Sequence, residues 1–89
     1  MSIENLSNRD VPVTTRQVKA ARALLGWSQG DLAEHSDISE PTIARLEAED
    51  GPLGGRPETA AKIINALVGA GIEFIPQNGG GVGVRHSRR

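Results

Sequence analysis

The sequence predicts a small, mainly α-helical domain that ends in a pair of β-strands. Four stretches place apolar residues at the 3.6-residue spacing of a helix, and each begins with a residue that favours a helix N-terminus. After Gly71 the apolar residues recur at every second position instead, which is typical of strands. With 89 residues, the chain has room for one domain around one hydrophobic core.

The first helix is predicted over residues 15–25. Thr14 and Gln17 have the spacing of a capping box, in which each side chain accepts a hydrogen bond from the other residue's backbone N–H. Ser28 and Ser39 start two shorter helices as N-caps. The four predicted helices cover residues 15–25, 29–36, 40–48 and 57–70. The expected core stripe of the last helix is Ala60, Ile63, Ile64 and Leu67.

The C-terminal part is predicted to form an antiparallel β-hairpin. Two alternating stretches, 72–75 and 82–86, flank the glycine-rich turn 77–81. A lone two-stranded hairpin is marginally stable in water, so it must pack on the helices or pair with another chain. The chain therefore divides into an arm predicted to be flexible (1–13), a helical domain (14–71) and the hairpin with a basic tail (72–89).

The composition excludes several classes of function. Without cysteine, the chain cannot hold a disulfide scaffold, a zinc ribbon or an iron–sulfur cluster. One Trp, one Phe and no Tyr leave no aromatic surface for stacking RNA bases. Since no apolar run is long enough to span a membrane, and the N-terminus does not resemble a signal peptide, we expect a soluble, cytoplasmic protein. We expect no enzymatic activity, no cofactor and no metal site.

Residues 29–48 have the spacing of a helix-turn-helix, two short helices joined by a tight turn. Ala33 is small where the two helix axes approach each other. Ile38 and Ile43 are apolar where the second helix must rest on the first. Polar residues then occupy the outward face of the second helix, and a helix held in this way fits the major groove of DNA.

The stretches LGWSQGDLA (25–33) and ISEPTIARLE (38–47) resemble the Cro/CI-type (XRE) helix-turn-helix regulators, in a short bacterial or phage form with a C-terminal hairpin. The resemblance covers about residues 15–67 and implies a lambda-repressor-like fold of four to five short helices. It implies a sequence-specific transcriptional regulator, associated with the nucleoid when bound, that places helix 40–48 in the major groove of double-stranded DNA.

The same resemblance implies roles for individual residues. Gln29 is expected to grip a phosphate and brace the recognition helix, and Arg56 to contact a phosphate beside the fourth helix. Arg22 and Glu47 match a structural ion pair between the first helix and the recognition helix. The expected DNA contacts are Ser28, Gln29, Ser39, Glu40, Pro41, Thr42, Arg45 and Arg56. Without the resemblance, these polar residues are also compatible with a solvated face.

The charge distribution is unusual for a DNA-binding surface. The formal net charge is −1, and residues 28–50 contain seven acidic residues but one basic residue, Arg45. Glu40 can accept a hydrogen bond from cytosine N4, but its charge repels phosphates. Asp37 stands in the turn where many relatives have glycine. These features keep a second function open, in which the same fold is a protein-binding module such as an antitoxin or antiactivator with a regulatory protein partner.

We expect a homodimer on a pseudo-palindromic operator, with half-sites about 10 bp apart. An exposed strand edge, at 72–75 or 82–86, offers a surface that a two-fold partner can extend. The basic tail 85–89 is equally compatible with an arm along the DNA backbone and with a solubilising tail.

Overall fold

The computed structural model describes residues 13–77 and 79–87. Within these residues the chain forms four helices followed by one antiparallel hairpin, which confirms the predicted mainly α-helical fold with a C-terminal strand pair. The predicted arm, except for its last residue, and the end of the basic tail lie outside the described residues. The elements are α1 (Thr15–Leu25), α2 (Gln29–Ser36), α3 (Glu40–Glu47), α4 (Pro57–Gly69), β1 (Ile72–Ile75) and β2 (Gly83–His86).

α1 begins at the capping box that the sequence predicts. The Thr14 hydroxyl accepts a hydrogen bond from the Gln17 N–H at 3.1 Å, and the Gln17 Oε1 accepts one from the Thr14 N–H at 2.9 Å. These bonds satisfy backbone groups that have no partner within the helix. α1 ends at Gly26, whose φ of 70° is the left-handed conformation that glycine adopts without steric cost.

The core lies where the four helices meet the first strand. Leu67 of α4 is fully buried and Ile72 of β1 is 3% exposed, so the hairpin belongs to the same core as the helices. The buried core residues are Val18, Ala21, Leu32, Ile43, Leu46, Ile63, Leu67 and Ile72. The predicted stripe of α4 is wrong in part, because Ala60 and Ile64 are half-buried and line a surface groove.

The hairpin packs on the helices of its own chain. β1 and β2 pair antiparallel, with Ile72 opposite His86 and Ile75 opposite Gly83. The buried amide of Gln17 donates to the carbonyl oxygens of Ile75 at 3.3 Å and of Gly83 at 2.8 Å. The side chain that caps α1 therefore also joins α1 to both strands.

The loop between α3 and α4 is tied to the start of α1. The Thr15 N–H donates to the Gly51 carbonyl at 2.8 Å, and the Leu53 N–H donates to the Val13 carbonyl at 2.9 Å. Because these bonds come shortly after α3, they fix the end of that helix relative to α1.

An apolar groove with a volume of about 710 Å³ lies between α4 and β1. Its walls include Val13, Leu53, Ile64, Val68 and Phe74. Val68 is 50% exposed, although it is a large apolar residue. We call this feature the α4–β1 groove.

Candidate nucleic-acid interface

α2 and α3 are joined by a turn of three residues, 37–39. Asp37 has a φ of 63°, and its N–H donates to the Ala33 carbonyl at 2.9 Å, which ends α2. Among residues 13–77 and 79–87, Asp37 is the one non-glycine residue with a positive φ. Aspartate adopts the left-handed conformation more readily than most residues, so the tight turn forms without glycine.

Serine caps the N-termini of both helices. The Ser28 hydroxyl accepts from the Asp31 N–H at 3.0 Å, and the Asp31 carboxylate accepts from the Ser28 N–H at 2.9 Å. The Ser39 hydroxyl accepts from the Thr42 N–H at 3.3 Å and donates to the Thr42 Oγ1 at 2.8 Å. The hydroxyls of Ser39 and Thr42 are therefore held in place at the start of α3.

The residues expected to contact DNA lie at the starts of three helices. Ser28 and Gln29 are at the start of α2, residues 39–42 are at the start of α3, and Arg45 follows one turn later. Arg56 is the N-cap residue of α4, and its side chain makes no capping bond. The exposed members are Ser28, Ser39, Glu40, Pro41, Arg45 and Arg56, and the half-buried members are Gln29 and Thr42.

A hydrogen-bond network around one buried carboxylate holds α3 against α1 and α2. Arg22 of α1 donates from Nε and Nη2 to the two carboxylate oxygens of Glu47, at 2.8 and 2.6 Å. Gln29 of α2 donates to the same carboxylate at 3.0 Å, and Arg22 also donates to the Trp27 carbonyl at 3.0 Å. Glu47 is 4% exposed, so side chains from two helices replace the water around its charge.

The network keeps Glu47 ionised. Burial acts to raise the pKa of Glu47, but the hydrogen bonds from Arg22 and Gln29, together with the charge of Arg22, outweigh burial and hold that pKa below its ordinary value. The hydrogen bond to Glu47 likewise raises the pKa of the Arg22 guanidinium. Both members of the pair are therefore charged at neutral pH.

Most of the Lys and Arg side chains in the described residues form ion pairs. The exposed pairs are Arg16–Asp50 (3.0 Å), Lys62–Asp37 (4.0 Å) and Arg85–Glu73 (2.9 Å). Within residues 13–77 and 79–87, Lys19, Arg45 and Arg56 form no ion pair. In the described part of the chain, Arg45 on α3 and Arg56 before α4 are therefore the cations closest in sequence to the recognition helix that can bind a phosphate without first breaking an ion pair.

The position of the Glu40 side chain is a feature that the sequence analysis missed. A Cβ atom added to Gly30 of α2 would lie 3.4 Å from Oε1 of Glu40 and 3.6 Å from the Ser28 hydroxyl oxygen. The Glu40 carboxylate thus lies against the first turn of α2, where Gly30 leaves space for it. The one available signal was a glycine in the first turn of a predicted helix, which can mark a close approach.

Comparison with known proteins identifies the family. A family model described as helix-turn-helix matches residues 18–67, which is more than half of the 89-residue chain. The chain belongs to the XRE-type (Cro/CI-like) helix-turn-helix family. No curated protein matches the sequence. The matched range of this XRE domain runs from α1 into α4 and leaves out the hairpin.

The helix-turn-helix of this XRE domain is a DNA-binding domain, as it generally is in the family. Members of the family are generally not enzymes. Among the residues that the structure describes, no three His, Asp or Glu side chains come together in a way that could hold a metal ion. No helix in the same part of the chain has both the length and the apolar character needed to cross a bilayer.

Proposed function

We propose that this protein is a sequence-specific transcriptional regulator, not an enzyme, that inserts α3 into the major groove of double-stranded DNA. The observation that carries the proposal is the network of Arg22, Gln29 and Glu47, which fixes the orientation of α3. A recognition helix needs one orientation to read base edges. The network involves Glu47 on the inward face of α3, whereas Glu40, Pro41 and Arg45 stay exposed to a duplex.

The phosphate contacts come from the starts of α2 and α4. The Gln29 backbone N–H and the Ser28 hydroxyl lie at the N-terminus of α2, which favours anions. One amide hydrogen of Gln29 bonds Glu47, and the other is available for a phosphate oxygen. The exposed guanidinium of Arg56 binds a second phosphate.

The base-reading residues lie along α3. Arg45 can donate two hydrogen bonds to the O6 and N7 atoms of guanine, and the Thr42 methyl group can contact the methyl group of thymine. Pro41 has no N–H to donate, so it contributes shape and not a hydrogen bond. The proposed base-reading set is Ser39, Glu40, Pro41, Thr42 and Arg45.

The first experiment is a selection from a random pool of duplex DNA at low salt, using purified protein shown to be helical by circular dichroism. Enrichment of an inverted repeat that binds far more tightly than scrambled DNA would support the proposal and would give the half-site spacing. A folded sample that enriches no sequence would contradict it.

The double variant Thr42→Ala, Arg45→Ala tests the base-reading assignment. Operator binding should weaken by about 2–4 kcal/mol, because each lost base contact is worth about 1–2 kcal/mol. Lys62→Ala removes one positive charge outside the proposed interface and serves as the control. A loss of less than about 0.5 kcal/mol in the double variant, no larger than in the control, means that these side chains do not reach the bases.

We further propose that the protein acts as a homodimer and that the edge of β1 forms the contact. The Ser87 N–H donates to the Gly71 carbonyl, so Gly71 and Ser87 form a hydrogen-bonded pair. Along an antiparallel ladder, hydrogen-bonded pairs alternate with pairs whose backbone groups point outward. The N–H and C=O groups of Ile72 and Phe74 accordingly point away from β2. Since β1 also lines the α4–β1 groove, a strand added to this edge would cover apolar groups such as Val68.

The dimer proposal is tested by Val68→Glu, with Leu24→Glu on α1 as the control. The two side chains are 50% and 49% exposed, so both variants should fold. Val68→Glu places a charge in the proposed contact and should halve the mass measured by light scattering, whereas Leu24→Glu should leave the mass unchanged. Equal masses for Val68→Glu and the wild-type protein would rule out this interface.

A second candidate function, a protein-binding module, is favoured by the acidic surface around α3. Residues 28–50 carry seven acidic residues and one basic residue. A basic surface on a regulatory protein partner would complement these charges. If the DNA selection fails, the Thr42→Ala, Arg45→Ala variant should still capture the same partner in a pull-down as the wild-type protein does.

A further inference from the structure

Glu40 lies at the junction of the two helices proposed to contact DNA. It is the first residue of α3, its side chain is exposed, and its Oε1 atom lies against Gly30 in the first turn of α2. The carboxylate is thus close to the starts of both helices. These are the same places where the phosphates of a bound duplex would lie.

Among the residues that the structure describes, no neighbouring cation neutralises the charge of Glu40. Within residues 13–77 and 79–87, no Lys, Arg or His nitrogen lies within 4.0 Å of it. The other acidic group at the start of α2, Asp31, is occupied by its bond to the Ser28 N–H. The positive ends of two helix dipoles favour a carboxylate here, so the folded protein tolerates the charge at the point where it opposes a phosphate.

We infer that Glu40 is a specificity-determining residue that acts mainly by repulsion, an inference that rests on the proposed DNA-binding function. On an arbitrary duplex, the carboxylate faces phosphates and has no partner, so binding weakens. On a site that presents an exocyclic amino group, from cytosine N4 or adenine N6, the carboxylate gains a hydrogen bond that offsets the repulsion. Glu40 therefore discriminates by penalising the wrong sequences.

The test compares Glu40→Gln with Glu49→Gln, which removes the same charge nine residues later, beyond the end of α3. Random duplex DNA should bind Glu40→Gln about threefold to tenfold more tightly than the wild-type protein at about 50 mM salt. The gain should shrink at about 300 mM salt, because the shorter Debye length screens the repulsion. Affinity for the selected operator should stay the same or fall.

The ratio of operator to random-DNA affinity should therefore fall at least threefold in Glu40→Gln and less than twofold in Glu49→Gln. If random-DNA binding changes equally in the two variants, the repulsive role is wrong. If Glu40→Gln loses operator binding while random-DNA binding stays the same, Glu40 is a simple base contact and the inference is also wrong. A wild-type protein that binds no duplex at all would instead refute the proposed function itself.

Discussion

The amide of Gln17 joins α1 to the hairpin, and Gln17→Glu tests how much this tie stabilises the fold. Glutamate keeps the oxygen that accepts from the Thr14 N–H, but it cannot donate to the carbonyls of Ile75 and Gly83. Two lost hydrogen bonds, and a charge at a position that is 5% exposed, should together lower the free energy of unfolding by about 2–4 kcal/mol at pH 7. Urea denaturation followed by circular dichroism measures this change.

The pH dependence has a definite sign. A carboxylate facing two carbonyl oxygens is disfavoured in the folded state, so the new glutamate should have a raised pKa when folded. Its protonated form can donate one hydrogen bond, so the loss of stability should shrink as the pH falls toward about 4. Gln77→Glu makes the same substitution at an exposed position and is the control. If the two variants unfold within about 0.5 kcal/mol of each other at pH 7, the tie does not stabilise the fold.

Three further substitutions have expected effects on urea denaturation. Glu47→Ala leaves Arg22 without its carboxylate partner and should lower the free energy of unfolding by about 2–4 kcal/mol. Because the pKa of Glu47 is lowered on folding, the stability that the wild-type residue contributes is present at neutral pH and is lost as the pH falls through the folded-state pKa. Thr15→Val should raise the free energy of unfolding by about 1 kcal/mol, since the buried Thr15 hydroxyl has no hydrogen-bond partner among the described residues. An unchanged or lower stability would contradict this expectation. Gly71→Ala should destabilise by at least about 2 kcal/mol, because φ is 105° and the new Cβ would lie 3.0 Å from the His86 ring, so a neutral effect would be unexpected.

The features of the fold that depend on neighbouring residues were predictable from the sequence. The caps at Thr14, Ser28 and Ser39 and the left-handed ends at Gly26 and Asp37 each involve groups within a few residues. Because these local signals do not depend on tertiary packing, the predicted starts of these helices are confirmed. Two of the predicted helix ends were wrong by one residue, because α3 ends at Glu47 and α4 at Gly69.

Features that depend on tertiary packing were not predictable. The sequence indicates that Gln17 belongs to a capping box. It does not indicate the hydrogen bonds from Gln17 to the hairpin, which join residues 58 and 66 positions apart. Ile63 and Ile64 are both apolar and adjacent, but Ile63 is buried in the core and Ile64 lines the α4–β1 groove.

In the candidate site, too, the local features were predictable from the sequence and the features that depend on packing were not. The spacing of α2 and α3 and the polar character of the first turn of α3 could be read from the residues. The position of the Glu40 carboxylate beside Gly30 could not, because it depends on the angle between the two helices. The pairing of Arg16 with Asp50, 34 positions later, likewise removes a cation that the sequence alone would leave free for DNA.

The Gln17 tie also bears on the order in which the protein folds and on how long it stays folded. Closing a loop of 66 residues costs chain entropy before any contact repays it, whereas α2 and α3 meet over a short separation. The helices should therefore assemble before the hairpin docks. A contact made after the rate-limiting step slows unfolding and leaves the folding rate nearly unchanged. If the hairpin docks after that step, removing the Gln17 hydrogen bonds should speed unfolding and shorten the time for which the recognition helix keeps its support.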